Sequence, residues 1–197
     1  MTDYGSVAAL KQRLNIRADD TSVDTLLAAA LAAASRGIDK ATGRRFWLDP
    51  DPEVRTYRTA RRVARQDDGE LLLVDDIGDL TGLVVEAGSG GAFSTVTGYE
   101  TSPDNALADG RPVTGLLRVL GSWGPATTRV RITARFGWPT VPDDITEAAL
   151  IQAARLYRRK DSPEGVTGSA EWGVVRLSRR DPDVWNLIEP FTLPGFG

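Results

Sequence analysis

Cysteine and histidine are both missing from the 197 residues of this chain, and methionine occurs once. Without cysteine there is no disulfide framework and no thiolate metal site. Without histidine, Ser-His-Asp and Cys-His catalysis, imidazole ligation of zinc and histidine general-base chemistry lose their commonest participant. Those two absences close most familiar hydrolase mechanisms. Long apolar runs are missing too. No stretch approaches the roughly 18 residues of a membrane span, and the opening Met-Thr-Asp-Tyr-Gly has neither a basic n-region nor an apolar h-region. The expectation is a chain with no membrane contact, made in the cytoplasm of the cell that produces it.

A strong charge imbalance is also lacking. Lys+Arg 24 against Asp+Glu 27 gives a net charge of -3, which does not describe a surface that grips phosphate all over. Hydrophobic residues at 41% and charged ones at 26% supply enough apolar material for a real core and argue against disorder.

What is present is a strong periodicity that changes twice. Ser6 caps a predicted helix near 6–15, with Val7, Leu10 and Leu14 at helical spacing. Ser22 opens a longer one over 22–42, where Leu26, Leu27, Ala30, Leu31, Ala34, Ile38 and Ala41 form a stripe and Gly43 is the stop. Its alanines favour helix and permit close approach of another helix, within the chain or from a neighbouring subunit. Asp49-Pro-Asp-Pro is a rigid polar turn.

From 55 to 136 the pattern is one of short strands: Thr56 to Ala60, Glu70 to Val74, Leu83 to Ala87, Phe93 to Thr97, Leu116 to Leu120 and Arg129 to Phe136, punctuated by glycines such as Gly78 and Gly82. In the last, Val130, Ile132, Ala134 and Phe136 alternate with polar residues, as in a strand with one buried face. Helical signals then return. Asp143 and Asp144 cap a helix over 143–160, with Glu147 completing a capping box and Ser162-Pro163 ending it. Ile145, Ala148, Ala149, Ala153 and Leu156 are its apolar face. Asp161 to Val174 reads as a mobile loop, and Asp181-Pro182 starts a last helix over 181–189 with Val184, Leu187 and Ile188 inward and Pro190 closing it. The fold class is α+β: a helical base carrying an inserted antiparallel β block near 55–136, all within one domain of residues 1–197.

Signs of chemistry are sparse. Gly88-Ser-Gly-Gly lacks the lysine and the following long helix of a phosphate loop and reads as a strand-to-strand turn. Asp67, Asp68, Glu70, Asp75, Asp76 and Asp79 do not follow a calcium-loop spacing and read as solvated turn carboxylates. No two of the Asp+Glu 27 stand out as a glycosidase pair. The expectation is a non-enzyme with no catalytic residue, cofactor or metal. Arg55, Arg58, Arg61, Arg62 and Arg65 form a basic segment that suits a solvated edge strand, a subunit interface or a weak polyanion contact. Trp172, Arg176, Arg179, Arg180, Trp185 and Phe196 are candidate partner contacts, because a loop tryptophan and a broken apolar tail make poor core.

The segment Leu26 to Trp47, ending Ala33-Ala-Ser-Arg-Gly-Ile-Asp-Lys-Ala-Thr-Gly-Arg-Arg-Phe-Trp, resembles the head-to-tail connector, or adaptor, proteins of long-tailed bacteriophages. So does Arg135-Phe-Gly-Trp-Pro-Thr-Val-Pro-Asp-Asp-Ile with Ala148-Ala-Leu, Ala153-Ala-Arg-Leu-Tyr-Arg-Arg and Asp161-Ser-Pro-Glu-Gly-Val. These motifs, together with Ser178-Arg-Arg-Asp-Pro-Asp-Val and the tail Pro194-Gly-Phe, are similar to the actinobacteriophage branch. The resemblance covers the helical flanks well and the β block poorly. It implies a virion protein at the head-tail interface, about twelve copies forming a closed ring. The portal lies on one side of that ring, a tail-side stopper or neck protein on the other, and genome DNA passes through without specific binding. A stopper or tail terminator, or a nucleic-acid-binding protein using 55–65, are the alternatives.

Overall fold

The computed structural model describes residues 2–159, 166–167, 175–176 and 181–193. They fall into two compact units, one formed by Met1–Arg44 with Val141–Gly197 and the other by Arg45–Thr140.

The first unit is helical. Helix α1 (Val7–Leu14) starts where the Ser6 hydroxyl accepts the Ala9 N–H at 3.1 Å, and it ends at Asn15 in the left-handed region. Helix α2 (Asp24–Thr42) ends at Gly43 but begins differently from expectation. Val23 precedes it without a side-chain cap, and the Ser22 hydroxyl donates instead to Asp20. Its buried stripe is also rotated from the expected one: Leu27, Leu31, Ala34 and Ile38 are inside, Leu26 and Ala41 are exposed, and Ser35 and Thr42 take up core positions. These two hydroxyls donate to the Leu31 and Ile38 carbonyls one turn back, so their burial leaves no donor unmet.

Helix α3 (Asp143–Arg158) packs against α2 and buries Ile145, Ala148, Ala149, Leu150, Ala153 and Ala154. Pro142, not an aspartate, is its N-cap. Asp143 and Asp144 sit in the first turn, where their charge meets the positive end of the helix dipole. Glu147 makes no capping box, because its carboxylate pairs with Arg13 of α1. Val166–Thr167 (β8), inside the stretch expected to be a mobile loop, pairs antiparallel with Val175–Arg176 (β9) just beyond its end. The expected Ser162-Pro163 stop lies outside the described residues. Helix α4 (Pro182–Ile188) is capped by Asp181, which accepts from the Asp183 and Val184 amides, and Val184 and Ile188 are buried. Pro190 then lies in a 3₁₀ turn, Glu189–Phe191.

The second unit is an antiparallel sheet. Strands β1 (Glu53–Arg58), β2 (Val63–Gln66), β3 (Gly69–Ser89), β4 (Ala92–Thr95), β5 (Glu100–Ser102), β6 (Val113–Val119) and β7 (Arg129–Phe136) run in the order β1-β7-β3-β6-β5, with β2 and β4 also on β3. The two strands expected over 70–74 and 83–87 are one, because Gly78 is not a turn. A Cβ there would lie 2.7 Å from the Leu48 side chain and 2.8 Å from the Gly137 carbonyl, so its missing side chain permits close packing. Register shifts between Leu73 and Val84 let this single strand bend. The expected Gly88-Ser-Gly-Gly turn is present as the β3–β4 hairpin, where Ser89 pairs with Ala92 and Gly90 and Gly91 both have positive φ.

The core of this unit is built on β7, which alternates without a break, and on Tyr57, Leu72, Ile77, Val85, Leu116 and Trp123. Trp123, 2% exposed, donates its indole N–H to the Glu70 and Leu116 carbonyls. The chain segments that begin and end the unit lie side by side. The Asp49 N–H donates to the Phe136 carbonyl at 2.8 Å, and the Phe46 and Trp138 rings are 5.2 Å apart.

Candidate assembly surfaces

Of the partner contacts expected from sequence, Trp172, Arg179, Arg180 and Phe196 lie outside the described residues, and of Arg176 only the backbone, in β9, is described. Trp185 is half-buried on α4. It borders a cavity of about 170 Å³ with Val184 and Ile188 on its own helix, Gly37 and Ala41 on α2, and Gln152 on α3. The start of α4 is tied down by Asp181, which pairs with Arg155 at 2.6 Å.

The basic segment of 55–65 does not present itself as a unit. Arg55 pairs with Asp75 at 3.0 Å, lies 3.7 Å from Asp49 and stacks over the Phe136 ring. Arg62 pairs with the same Asp75 at 3.3 Å and covers the Tyr57 ring. Arg45 pairs with Asp49 at 2.5 Å and stacks on Trp47. Asp49 is 2% exposed, so Arg45 and Arg55 balance a carboxylate that would otherwise be buried unpaired. Burial, with Asp75 adding to it, pushes the Tyr57 phenol far above its ordinary range. Arg58 and Arg61 remain exposed with no ion-pair partner among the described residues.

The acidic cluster is corrected as well. Only Asp67 and Asp68 are exposed turn carboxylates, whereas Glu70, Asp75, Asp76 and Asp79 lie on β3. Asp76 accepts the Trp138 indole N–H and Asp79 pairs with Arg135. Glu70 is held below the usual carboxylate range chiefly by the Trp123 backbone N–H, which donates to its carboxylate at 2.8 Å. The Thr81 amide does the same for Asp79, ahead of Arg135, and Arg131 for Glu86. These carboxylates are kept ionised and serve as anchors for donors and arginines. No group of three or more His, Cys, Asp or Glu among the described residues is placed to hold a metal ion, and no described helix is long and apolar enough to cross a membrane.

Strands β2 and β5 were not legible in the sequence, since four and three residues are too short to show a period. The arginine–carboxylate pairs were not legible either, because they join positions such as 55 and 75 or 79 and 135.

No protein-family model matches the chain, and no curated protein matches it. Among solved structures it is similar to a chain in the neck of an empty gene transfer agent particle computed with C6 symmetry. The TM-score is 0.58 at 22% identity, covering 97% of this chain and 91% of the other. It is also similar to a chain in the virion of a native gene transfer agent particle, with a TM-score of 0.46 at 21% identity and the same coverage. The first likeness carries the fold.

Proposed function

We propose that this chain is a structural neck protein of a phage-like particle, a head-tail adaptor that joins capsid to tail without catalysing a reaction. One observation carries the reading: the whole chain, helical and β units together, matches the fold of a chain from a particle neck over 97% of its length. The resemblance of Leu26–Trp47 and of 135–184 to long-tailed phage adaptors points the same way from the residues alone. In this reading residues 1–197 act as one adaptor. About twelve copies close into a ring through a heterologous interface, a number compatible with the C6 symmetry of the similar neck. The portal is the head-side partner, a stopper or neck protein the tail-side one, and the virion is where the protein resides.

The genome passes through such a ring, and a chain of net charge -3 suits that passage, since dense phosphate binding would hold DNA back. The alternative of a nucleic-acid-binding protein is disfavoured by Arg55 and Arg62, which both pair with Asp75, Arg55 also lying 3.7 Å from Asp49. The region 172–196 is the proposed portal contact. Electron microscopy of the protein mixed with its portal is the test, with rings seated on the portal as the expected image. Absence of any ring, or tight duplex binding by the isolated protein at physiological salt, overturns the reading. Arg179→Ala with Arg180→Ala and, separately, Trp185→Ala are expected to weaken portal binding. These substitutions are a cleaner probe than truncation, because Val184 and Ile188 of α4 belong to the buried core.

A further inference from the structure

The pairing register puts an unusual surface on the outer face of β1, β7 and the second half of β3. Val54 lies opposite Thr133, which lies opposite Val84. In the next row Thr56 faces Arg131 and Arg131 faces Glu86. Then Arg58 sits directly opposite Arg129. Val54 and Val84 are 60% and 42% exposed, although β-branched side chains on a sheet are favoured chiefly where something packs on them. Like charges directly opposite across a strand pair are destabilising. Glu86 is taken up by a bidentate bond to Arg131 and Arg129 donates to the Thr127 and Thr128 carbonyls, so neither Arg129 nor the exposed Arg58 has a carboxylate partner among the described residues. Two exposed valines thus lie beside positive charge that no carboxylate of the described residues neutralises.

The complementary charge lies at the other end of the strand order. Glu100 of β5 and Asp104 and Asp109 of the following loop are exposed and unpaired among the described residues, with Arg111 the one basic side chain of that stretch. We propose that the outer face of β1 and β7 receives the Glu100–Asp109 stretch of the next copy of this chain. Basic and acidic surfaces at opposite ends of one sheet order form a head-to-tail contact, which closes into a ring when the rotation allows. The valines favour a protein occupant, because nucleic-acid interfaces are polar and basic throughout. This deepens the ring reading above and rests on it.

The absence of cysteine makes the test clean. The full chain carrying both Arg58→Cys and Asp104→Cys is oxidised with the portal present and run on a non-reducing gel, with circular dichroism to check the fold. The expected result is a ladder of species beyond the dimer, while each single variant stops at a dimer. Rings visible by microscopy without a ladder, or an internal disulfide in place of one, overturn this inference and leave the neck reading standing. No rings in the unmodified sample overturn the neck reading itself. In a second arm, Arg58→Glu with Arg129→Glu weakens self-association on the order of tenfold, and adding Glu100→Lys with Asp104→Lys restores it. Failure of the second pair to restore assembly overturns the complementarity. Loss of duplex DNA binding in Arg58→Glu, without any change in assembly, assigns the face to nucleic acid instead.

Discussion

The helical unit and the β unit satisfy their polar groups over different distances along the chain. In the helical unit much of the polar bonding is local: Ser6 to Ala9, Ser35 to Leu31, Thr42 to Ile38 and Asp181 to Val184 all fall within one turn. In the β unit the partners are distant, as with Trp123 and Glu70, Arg131 and Glu86, and Arg135 and the Asp49 carbonyl. Local bonds tolerate change one at a time, whereas long-range bonds tie several strands to the same few side chains. The β unit is therefore the more fragile to single substitutions.

The largest effect that bears on this contrast is expected from Trp123→Ala. It removes a fully packed ring together with its two carbonyl contacts. A cost of about 3–5 kcal/mol is expected, read as lost hydrogen-exchange protection across β3 and β6 ahead of α2 and α3. Simultaneous loss in both units would break the contrast. Next comes Asp49→Asn, which leaves Arg45 and Arg55 facing a neutral amide. Because both guanidiniums are partly solvated, a cost of about 2–3 kcal/mol is expected in urea unfolding, less than for a fully buried pair. Ser6→Ala should cost about 1 kcal/mol, visible as fraying of α1 alone by amide exchange.

The smallest effect per group appears only in acid. Glu70, Asp79 and Glu86, all on β3, have carboxyls lowered from ordinary values of 4.5, 3.8 and 4.5. A lowered folded-state pKa contributes stability that is present above the unfolded value and lost as pH falls through the folded one. The β unit should thus begin to weaken below about pH 4.5. In the helical unit the resolved counterpart is the half-buried Asp20. Amide exchange followed from pH 6 to about 3 checks this, and earlier opening of α1 to α3 than of β3 would contradict it.

The same contrast explains what could be read in advance. Four helices, the β block between them and the full extent of β7 were legible, because helix caps and strand alternation are written within a few residues of each other. The start of α2 was misplaced because Ser22 bonds back to Asp20, a choice between two local partners that composition does not decide. Leu26 was placed in the core by periodicity, whereas the helix turns Ser35 and Thr42 inward, which is possible only because their hydroxyls bond back to the backbone. In the β block, Gly78 looked like a turn and proved to be a point of close packing. Arg55 and Arg62 looked like a free basic strip and proved to be clamps on Asp75. For the candidate surfaces the sequence exposed the charges but not their pairing, so Arg58 and Arg129 emerged only from the strand register.

The side-by-side course of the chain at the two ends of the β unit, sealed by the Asp49 to Phe136 hydrogen bond and the Phe46 and Trp138 rings, has a consequence for descent. The first and last segments of Arg45–Thr140 are thus neighbours within the unit. A module with adjoining ends can be lengthened, exchanged or lost by a single genetic event without stretching the polypeptide on either side. Replacing this unit by a short glycine-serine link should leave a helical protein that still folds, with α1 to α4 retained as read by circular dichroism.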